Sequence, residues 1–176
     1  MNRKLFKFFK KNRYILICAS FLTFIIIFLL FSIFSFFVNR DLDLDNDIVI
    51  LQVNGKEKGS FSKKEIMESD AENISISLGN GYENAKIEGV DLVKLFDKLK
   101  ITPSRRSLLY IKSKDGEIET IPMSTVLEPK RVFLIYKINK KRLTEYNKDL
   151  GSFAIMDVFD NDTESWIKNV KTINIQ

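Results

Sequence analysis

The chain has 176 residues with 28 basic and 23 acidic side chains, one cysteine and no histidine. The lack of histidine excludes Ser-His-Asp and Cys-His nucleophile systems and the usual zinc sites. Six basic residues lie within 1–13 and the rest of the chain has a net charge of −1, so the pI near 9.2 does not indicate a nucleic-acid-binding surface.

Residues 14–38 are the first predicted element, an apolar run without one charged side chain, YILICASFLTFIIIFLLFSIFSFFV. A bilayer core of roughly 30 Å needs about 20 apolar helical residues, so the run predicts one transmembrane helix. The basic segment 1–13 precedes it and four aspartates follow within 41–47, which predicts a cytoplasmic N-terminus and an extracytoplasmic C-terminal domain. A signal peptide has an apolar region of about 7–15 residues and a small-residue cleavage site, which residues 35–38 do not offer. We therefore expect an uncleaved signal anchor in a cell membrane.

Cys18 lies inside this apolar run and is the only cysteine of the chain. Ile17 precedes it where a lipidated cysteine follows a small residue, so we expect an ordinary membrane-buried thiol. The domain that follows the run then has no cysteine with which to form a disulfide. Residues 39–47 predict a solvated acidic linker. Its aspartates resemble the start of a calcium loop, but Asn46 and Gln52 stand where that loop requires a glycine and an acid.

Strand patterns separated by turn signals fill residues 48–176. The turn signals are Asn54-Gly55, Asn80-Gly81, Asp115-Gly116 and Asn139-Lys140. Around them we predict strands at Ile48–Val53, Ile74–Leu78, 82–87, Leu108–Lys112, Ile118–Ile121, Val132–Ile138, Phe153–Phe159 and Val170–Ile175.

Two helices are predicted between these strands. The first begins at Ser62, which forms the pattern of a capping box with Glu65, while Phe61 is placed to pack on Ile66. The second, Gly89–Lys100, has its apolar residues on one face. Many strands and few short helices indicate an α+β, mainly β domain.

Two carboxylate pairs are candidates for acid–base chemistry, Glu117 with Glu119 and Asp160 with Asp162. Such spacing is common on solvated strands and turns, and nothing in the sequence positions a second group beside either pair. Solvated side chains are therefore the preferred interpretation, and no catalytic residue is assigned.

Basic clusters occur at Arg105-Arg106, Lys130-Arg131 and Lys140-Lys141-Arg142. Each can hold a phosphate or an anionic polymer, but solvated charge is the default for such runs. Trp166 is expected to pack in the core with Ile167 and Val170 at the junction before the last strand, and binding at the surface is the alternative.

Several short motifs follow one another along the domain: Val53-Asn54-Gly55, Phe61-Ser62-Lys63-Lys64-Glu65-Ile66, Gly89-Val90-Asp91-Leu92-Val93-Lys94-Leu95-Phe96, Asp115-Gly116 leading to Ile121-Pro122-Met123, Leu134–Leu143 and Trp166–Ile173. In this order they resemble the motifs of the oxidoreductase molybdopterin-binding domain family, which has the sulfite-oxidase-like fold. The resemblance covers about residues 50–175 and implies that fold for the domain.

The resemblance also shows where this chain departs from the family. Family enzymes bind molybdenum through a cysteine upstream of the Gly89-Val90 motif, and histidines often contact their pterin. Residues 71–88 contain no cysteine, although Ser75 and Ser77 lie there, and a neutral hydroxyl is a poor substitute for a soft thiolate. Gly151-Ser152 stands where the family has Gly-Pro. The resemblance therefore implies the fold without the molybdenum chemistry.

The predicted architecture is a basic cytoplasmic tail (1–13), a transmembrane helix (14–38), an acidic linker (39–47) and an extracytoplasmic sulfite-oxidase-like domain (48–176) in a bacterial-type membrane protein. We expect a non-catalytic binding or accessory module with no metal ligand and no cofactor, molybdopterin being implied by resemblance only. Its expected partners are the membrane and an envelope protein or a small anionic ligand, without nucleic acid. The alternatives are a residual molybdopterin-dependent oxidoreductase coupled to a membrane electron-transfer partner, and a structural envelope protein.

Overall fold

The structure, a computed structural model, describes residues 21–33, 47–69, 71–78, 82–160 and 162–176. The chain divides into two units, Met1–Asp43 and Leu44–Gln176. In the first unit residues 21–33 form a helix whose side chains are all exposed. None of the helices in these ranges is both long and apolar enough to cross a membrane. The predicted span 14–38 contains this helix, but its other residues lie outside the described ranges, as do the tail 1–13 and all of the linker except Asp47.

Strands dominate the second unit, so the prediction of an α+β, mainly β domain is confirmed. Its strands in the described ranges are β1 (Ile48–Val53), β2 (Lys56–Ser62), β3 (Glu72–Leu78), β4 (Tyr82–Asp91), β5 (Leu108–Ser113), β6 (Ile118–Pro122), β7 (Val132–Ile138), β8 (Lys141–Arg142), β9 (Ala154–Asp157) and β10 (Val170–Ile175). Its helices are α1 (Lys63–Glu68), α2 (Leu92–Lys98), α3 (Met123–Val126) and α4 (Leu143–Tyr146), followed by a 3₁₀ turn at Lys148–Leu150.

The strands form two sheets. The first sheet has the order β2-β1-β10-β5-β6, in which β1 and β10 are parallel and the other neighbours antiparallel. The second sheet has the order β3-β4-β7-β8, and β9 also pairs with β7; all of these pairs are antiparallel. The first and last strands of the domain therefore lie side by side within the first sheet.

Two apolar cores lie on opposite faces of the second sheet, and β7 contributes to both. Its Leu134 and Tyr136 belong to the first core, which also contains residues of the first sheet and of α1, α2 and α3. Its Phe133 and Ile135 belong to the second core, which also contains residues of α4 and the 3₁₀ turn. Successive side chains of a strand point to opposite faces, so a strand buried on both faces needs a nearly continuous apolar sequence.

The start of α1 follows the sequence prediction closely. The Oγ of Ser62 accepts a hydrogen bond from Glu65 N at 3.3 Å, and Glu65 Oε2 accepts one from Ser62 N at 2.8 Å. Phe61 and Ile66 are both buried in the first core. The capping box and its apolar flank are therefore confirmed.

The sequence prediction places the start of the second helix, Gly89–Lys100, too early. Residues Gly89–Asp91 are the end of β4 and pair with β7, and the helix begins only at Leu92. The two strands approach closely there, since a β-carbon on Gly89 would lie 2.8 Å from the carbonyl oxygen of Leu134. Asp91 ends the strand and caps the helix, so the boundary depends on strand pairing that an amphipathic pattern cannot reveal.

The strand β2 has no counterpart among the predicted elements. Its sequence, KEKGSFS, is mostly polar, and only Phe61 is buried. β2 is an edge strand of the first sheet, and polar or charged side chains are typical of edge strands because they discourage pairing with other chains. The predicted turn Asn80-Gly81 lies outside the described residues.

Candidate ligand-binding cleft

A cleft of about 510 Å³ lies against the turn that joins β5 and β6. Its other walls come from the 3₁₀ turn and from the segment before β10. The lining includes five carboxylates, those of Asp115, Glu117, Glu119, Asp149 and Glu164. A volume of this size is within the usual range for small-molecule sites.

The β5–β6 hairpin holds three of these carboxylates in place. Ser113 closes the turn, since its backbone N donates to Glu117 O at 3.0 Å and its Oγ donates to the same oxygen at 3.2 Å. Gly116 has a φ of +97°, a conformation that favours glycine. Glu117 and Glu119 are two residues apart on the extended chain, so their side chains point to the same face.

Asn169 joins the segments that form the cleft. Its backbone oxygen accepts a hydrogen bond from Lys114 N at 2.9 Å, and its backbone N donates to Leu150 O at 2.9 Å. Asn169 has a φ of +52°, which an asparagine tolerates better than most residues. The hairpin, the 3₁₀ turn and the approach to β10 are thereby fixed relative to one another.

Trp166 forms part of the cleft wall and is only 2% exposed. Its ring belongs to the second core, which also contains Leu150 and Met156. Its Nε1 is buried and has no hydrogen-bond partner among the described residues. Buried donors are nearly always paired, so this N–H is an exception, a polar group for which the described part of the domain supplies no acceptor.

The charge of the cleft is negative. The five carboxylates face two lysines, Lys148 and Lys168, and Lys168 Nζ is paired with Glu164 at 2.9 Å. Within the described ranges the other four carboxylates form no ion pair. In the same ranges no three acidic side chains are grouped closely enough to hold one metal ion, so the carboxylates are distributed around the cleft.

The structure separates the two carboxylate pairs that the sequence singles out. Glu117 and Glu119 both line the cleft. Asp160 and Asp162 do not; Asp160 Oδ1 accepts from Asp162 N at 3.2 Å, and Asp162 Oδ1 accepts from Glu164 N at 3.0 Å. The second pair therefore stabilises the turn that leads to the cleft.

The basic clusters lie elsewhere, and most of their cations are paired or exposed. Arg131 binds Asp157 at 3.0 Å and Glu128 at 2.6 Å, and these two carboxylates raise its pKa. Arg105 and Arg106 are exposed in the turn before β5. The prediction of a small anionic ligand stays a prediction.

Trp166 is buried, as predicted, but not with the neighbours expected from the sequence. Trp166 packs in the second core, whereas Ile167 and Val170 pack in the first. Sequence reasoning missed Lys148, Asp149, Glu164 and Lys168 as cleft residues, because no local pattern marks them.

A second cleft of similar volume lies beside α2. Lys98 Nζ donates to Ser69 Oγ at 3.0 Å, and Lys94 Nζ binds Glu72 at 2.9 Å. Both lysines already have partners in the domain. Among the described residues its lining has no buried side-chain polar atom without a partner, unlike the cleft at Trp166.

Two charged residues outside both clefts are buried, which no sequence pattern indicates. Asp91 is 5% exposed; its Oδ1 accepts from Val93 N at 2.9 Å and its Oδ2 from Lys130 N at 3.1 Å. Lys63 is also 5% exposed, and burial lowers its pKa although Asp47 acts in the opposite direction. Asp91 thus caps α2 and at the same time binds the backbone at Lys130. Lys63 is a buried cation close to a single carboxylate.

The residues at β3 do not fit a molybdenum-bound pterin. Ser75 and Ser77 are both exposed on β3, which is an edge strand of the second sheet. Their hydroxyls are hard, neutral donors, and molybdenum held as in the family enzymes needs a soft thiolate. The one thiol of the chain, Cys18, belongs to the other unit.

Comparison with known proteins gives likenesses among solved structures. No protein-family model matches the chain, and no curated protein matches it. Among solved structures the chain is similar to the sulfane dehydrogenase SoxCD from Paracoccus pantotrophus, with a TM-score of 0.57 and 16% sequence identity. The match covers 74% of this chain and 38% of that one, so the chain spans well under half the length of the SoxCD chain. At this identity the likeness concerns the fold, and it supports in part the sulfite-oxidase-like fold expected from the sequence.

Proposed function

We propose that the chain is a non-catalytic binding or accessory module, held at the outer face of a cell membrane by one N-terminal helix, with the cleft at Trp166 as its ligand site. The observation that carries the proposal is the kind of side chain that β3 offers as a metal ligand. Exposed serine hydroxyls occupy the strand upstream of the Gly89-Val90 motif, where the resembled enzymes place a thiolate. A fold of this kind can be kept for binding after its chemistry has been lost.

The proposal of a membrane anchor rests on charge and exposed apolar surface. Residues 14–38 carry no charge, and the six basic residues of 1–13 favour a cytoplasmic N-terminus. The described helix 21–33 exposes large apolar side chains such as Phe21, Phe24 and Phe28, each more than 60% exposed. An apolar surface of this kind needs lipid or a protein partner to cover it.

The second candidate is a residual molybdopterin-dependent oxidoreductase that passes electrons to a membrane partner. The likeness to a sulfane dehydrogenase favours it, since that protein is an oxidoreductase by name. Such an activity requires a pterin bound without a cysteine of the domain or with a ligand from a partner. The two candidates therefore differ in whether the purified protein carries the cofactor.

To decide between the two candidates, the full chain is expressed in a bacterial host that makes molybdopterin. The chain is recovered from membranes, and its molybdenum content and released pterin fluorescence are measured against a Ser77→Ala variant. We expect the chain in the membrane fraction after an alkaline wash, with molybdenum and pterin at the same background level in both proteins. Stoichiometric molybdenum in the wild type would establish the oxidoreductase candidate, and release by the alkaline wash would contradict the anchor.

A Ser77→Cys variant provides a matched comparison. It adds a thiol on the exposed face of β3 without enlarging the side chain much. If this variant gains molybdenum while the wild type does not, the fold retains a cofactor cradle and only the ligand has been lost. If neither binds the metal, the cradle itself has gone; both results agree with a non-catalytic module.

A further inference from the structure

We propose that the outer edge of β3 pairs with β3 of a second copy of this chain, so that the second sheets of two domains join into one continuous sheet across a two-fold axis. β3 is an edge of the second sheet, and among the described strands it pairs with β4 alone. The inference goes beyond the proposed function, because it concerns an interaction surface and not the cleft at Trp166. Two separate observations carry it: the direction of the outer backbone groups of β3 and the charge pattern of the strand.

The backbone of Ser75 faces away from β4. Ser75 lies opposite Lys86 in the register of β3 with β4. Both backbone groups of Lys86 are used on the other side of β4, since its N donates to Asn139 Oδ1 at 2.9 Å and its O accepts from Asn139 N at 2.7 Å. Opposite residues of an antiparallel pair either exchange both hydrogen bonds or both point away from each other, in alternation. The N–H and C=O of Ser75 therefore point outward at the edge, as do those of Asn73 two residues earlier.

β3 lacks the features that protect the other described edge strands. An exposed edge is a template for a further strand, and proteins protect it with charged side chains, proline or short length. β2 carries three charges at 56–58, β6 contains Glu119 and ends at Pro122, and β8 has only two residues, both basic. β9 forms a bridge to the segment before β10. Residues 73–78 of β3, NISISL, carry no charge and no proline, so this edge is open to pairing.

The charge pattern of β3 is compatible with pairing to its own copy. In an antiparallel pair centred on Ser75, the two Ser75 residues exchange hydrogen bonds, and Asn73 lies opposite Ser77 of the second copy. Glu72 is the only charged residue of the strand, and in this register it lies opposite Leu78 of the second copy. Like charges therefore do not meet across the axis, and small polar side chains face one another on the exposed side of the strand.

The other face of β3 adds apolar contacts to this pairing. Ile76 belongs to the second core, and the half-buried Ile74 packs against it. In the register centred on Ser75, Ile74 lies opposite Ile76 of the second copy. Apolar cross-strand neighbours stabilise a sheet, so Ile74 loses its remaining exposure and the second core continues from one domain into the next. Two-fold symmetry matches this alternation of apolar and polar residues automatically, which favours a second copy over an unrelated strand.

The first test is disulfide trapping in the full chain, with Cys18→Ser as the background because Cys18 is the only cysteine. In the proposed register the two Ser75 Cα atoms lie about 5.5 Å apart, a distance that a disulfide spans. Ser75→Cys should therefore give a disulfide-linked dimer, of twice the 20.5 kDa chain mass, when cells that express it are oxidised with copper phenanthroline and oxygen. Ser60→Cys is the matched control, because Ser60 is an exposed serine on the edge strand β2, and it should give no dimer.

The second test places charges at the two-fold axis. Two copies of the full chain with different affinity tags are expressed together, one tag is captured in mild detergent, and recovery of the other is measured. Ser75→Lys in both copies should lower that recovery about fivefold, because like charges then lie opposite each other, and Ser75→Glu in both should do the same. One copy with Ser75→Lys and the other with Ser75→Glu should restore the recovery. Ser60→Lys in both copies should leave it unchanged, and equal urea midpoints show that the fold is intact.

Four results would overturn the inference. Equal disulfide formation by Ser75→Cys and Ser60→Cys would indicate random collision. Recovery that is unaffected by Ser75→Lys would place the contact between copies elsewhere in the chain. A disulfide from Ser75→Cys to a different protein, without the dimer, would make the edge a docking site for that protein. Absence of any dimer in both tests would also refute the pairing, yet the proposed function would survive, because membrane recovery and cofactor content test that separately.

Discussion

A β-carbon added to Gly151 would lie 2.8 Å from the Cα of Asn169, and the two residues have positive φ angles of +66° and +52°. Their backbones are therefore in direct contact beside the cleft. Asn169 also carries the hydrogen bonds to Leu150 and Lys114 that join the cleft walls. Any side chain at position 151 must push this junction apart.

Gly151→Ala should destabilise the domain by about 3 kcal/mol. Gly151 has φ +66° and ψ −157°, a region that only glycine adopts readily. The added methyl group also meets Asn169, so overpacking adds to the strain. Urea unfolding followed by circular dichroism measures the loss, and a blunted near-ultraviolet signal from Trp166 would report the opened junction.

Gly116→Ala is the matched control for that variant. Gly116 also has a positive φ, +97°, but a β-carbon there would meet no atom within 4 Å. Its cost should be limited to backbone strain, about 1–2 kcal/mol. If both variants lose the same stability, the contact between Gly151 and Asn169 contributes nothing.

Asp91→Ala should cost about 2–3 kcal/mol. The carboxylate accepts hydrogen bonds from the backbone N of Val93 and of Lys130, so alanine leaves both donors without a partner in a buried place. Asp91→Asn keeps one acceptor oxygen and should lose less. Denaturant titration of both variants provides the measurement, and a neutral effect of alanine would contradict the bridging role.

Lys63→Met should stabilise the domain by about 1 kcal/mol at neutral pH, because it removes a buried charge and keeps the apolar stem. Burial lowers the pKa of Lys63 below 10.5; Asp47 opposes this, and Arg142, Lys137 and Lys114 reinforce it. The wild type should therefore gain stability as pH rises from the lowered folded pKa towards 10.5, because the unfolded chain then binds more protons.

The methionine variant should lack that alkaline gain. Stability is measured by urea unfolding at a series of pH values from neutral to alkaline. Lys64→Met changes an exposed lysine on the same helix and should leave the profile as it is. A wild-type profile that stays flat in the alkaline range would disprove the role assigned to Lys63.

Ser62→Ala should cost about 1 kcal/mol by removing half of the capping box. Hydrogen bonds from the backbone and side chain of Ser62 lower the pKa of Glu65 below 4.5. The stability that these bonds contribute is present above 4.5 and is lost as the pH falls through the lowered folded pKa. The variant should therefore lose less stability than the wild type as the pH falls through the acid range, as measured by urea unfolding. An equal loss of stability in both proteins would count against the pairing of Ser62 with Glu65.

Local patterns in the sequence were sufficient for the elements that depend on near neighbours. The capping box needs only Ser62 and Glu65, and the turn at Asn139-Lys140 needs only its own backbone, where both residues have positive φ. The strands β7 and β10 were placed correctly because apolar and turn residues mark their ends. The polar edge strand β2 has no apolar pattern by which it could be recognised.

The cleft could not be derived in this way. Its walls come from three parts of the chain that are distant in sequence, and they meet because β5 pairs with β10 and Asn169 contacts Leu150. Glu117 and Glu119 were visible as a pair, but their neighbours Asp149 and Glu164 were not. A pairing between distant strands leaves no periodic signal in either strand.

The parallel pairing of β1 with β10 governs when the domain can finish folding. β1 is the first strand of the domain and β10 the last, and Ile50 is paired with Thr172. β10 also stands between the hairpin β1–β2 and the hairpin β5–β6, so neither hairpin has its inner neighbour until the final strand arrives. Contacts between such distant residues form late and slowly. A chain that emerges N-terminus first must therefore keep one edge of β1 unpaired until β10 is delivered.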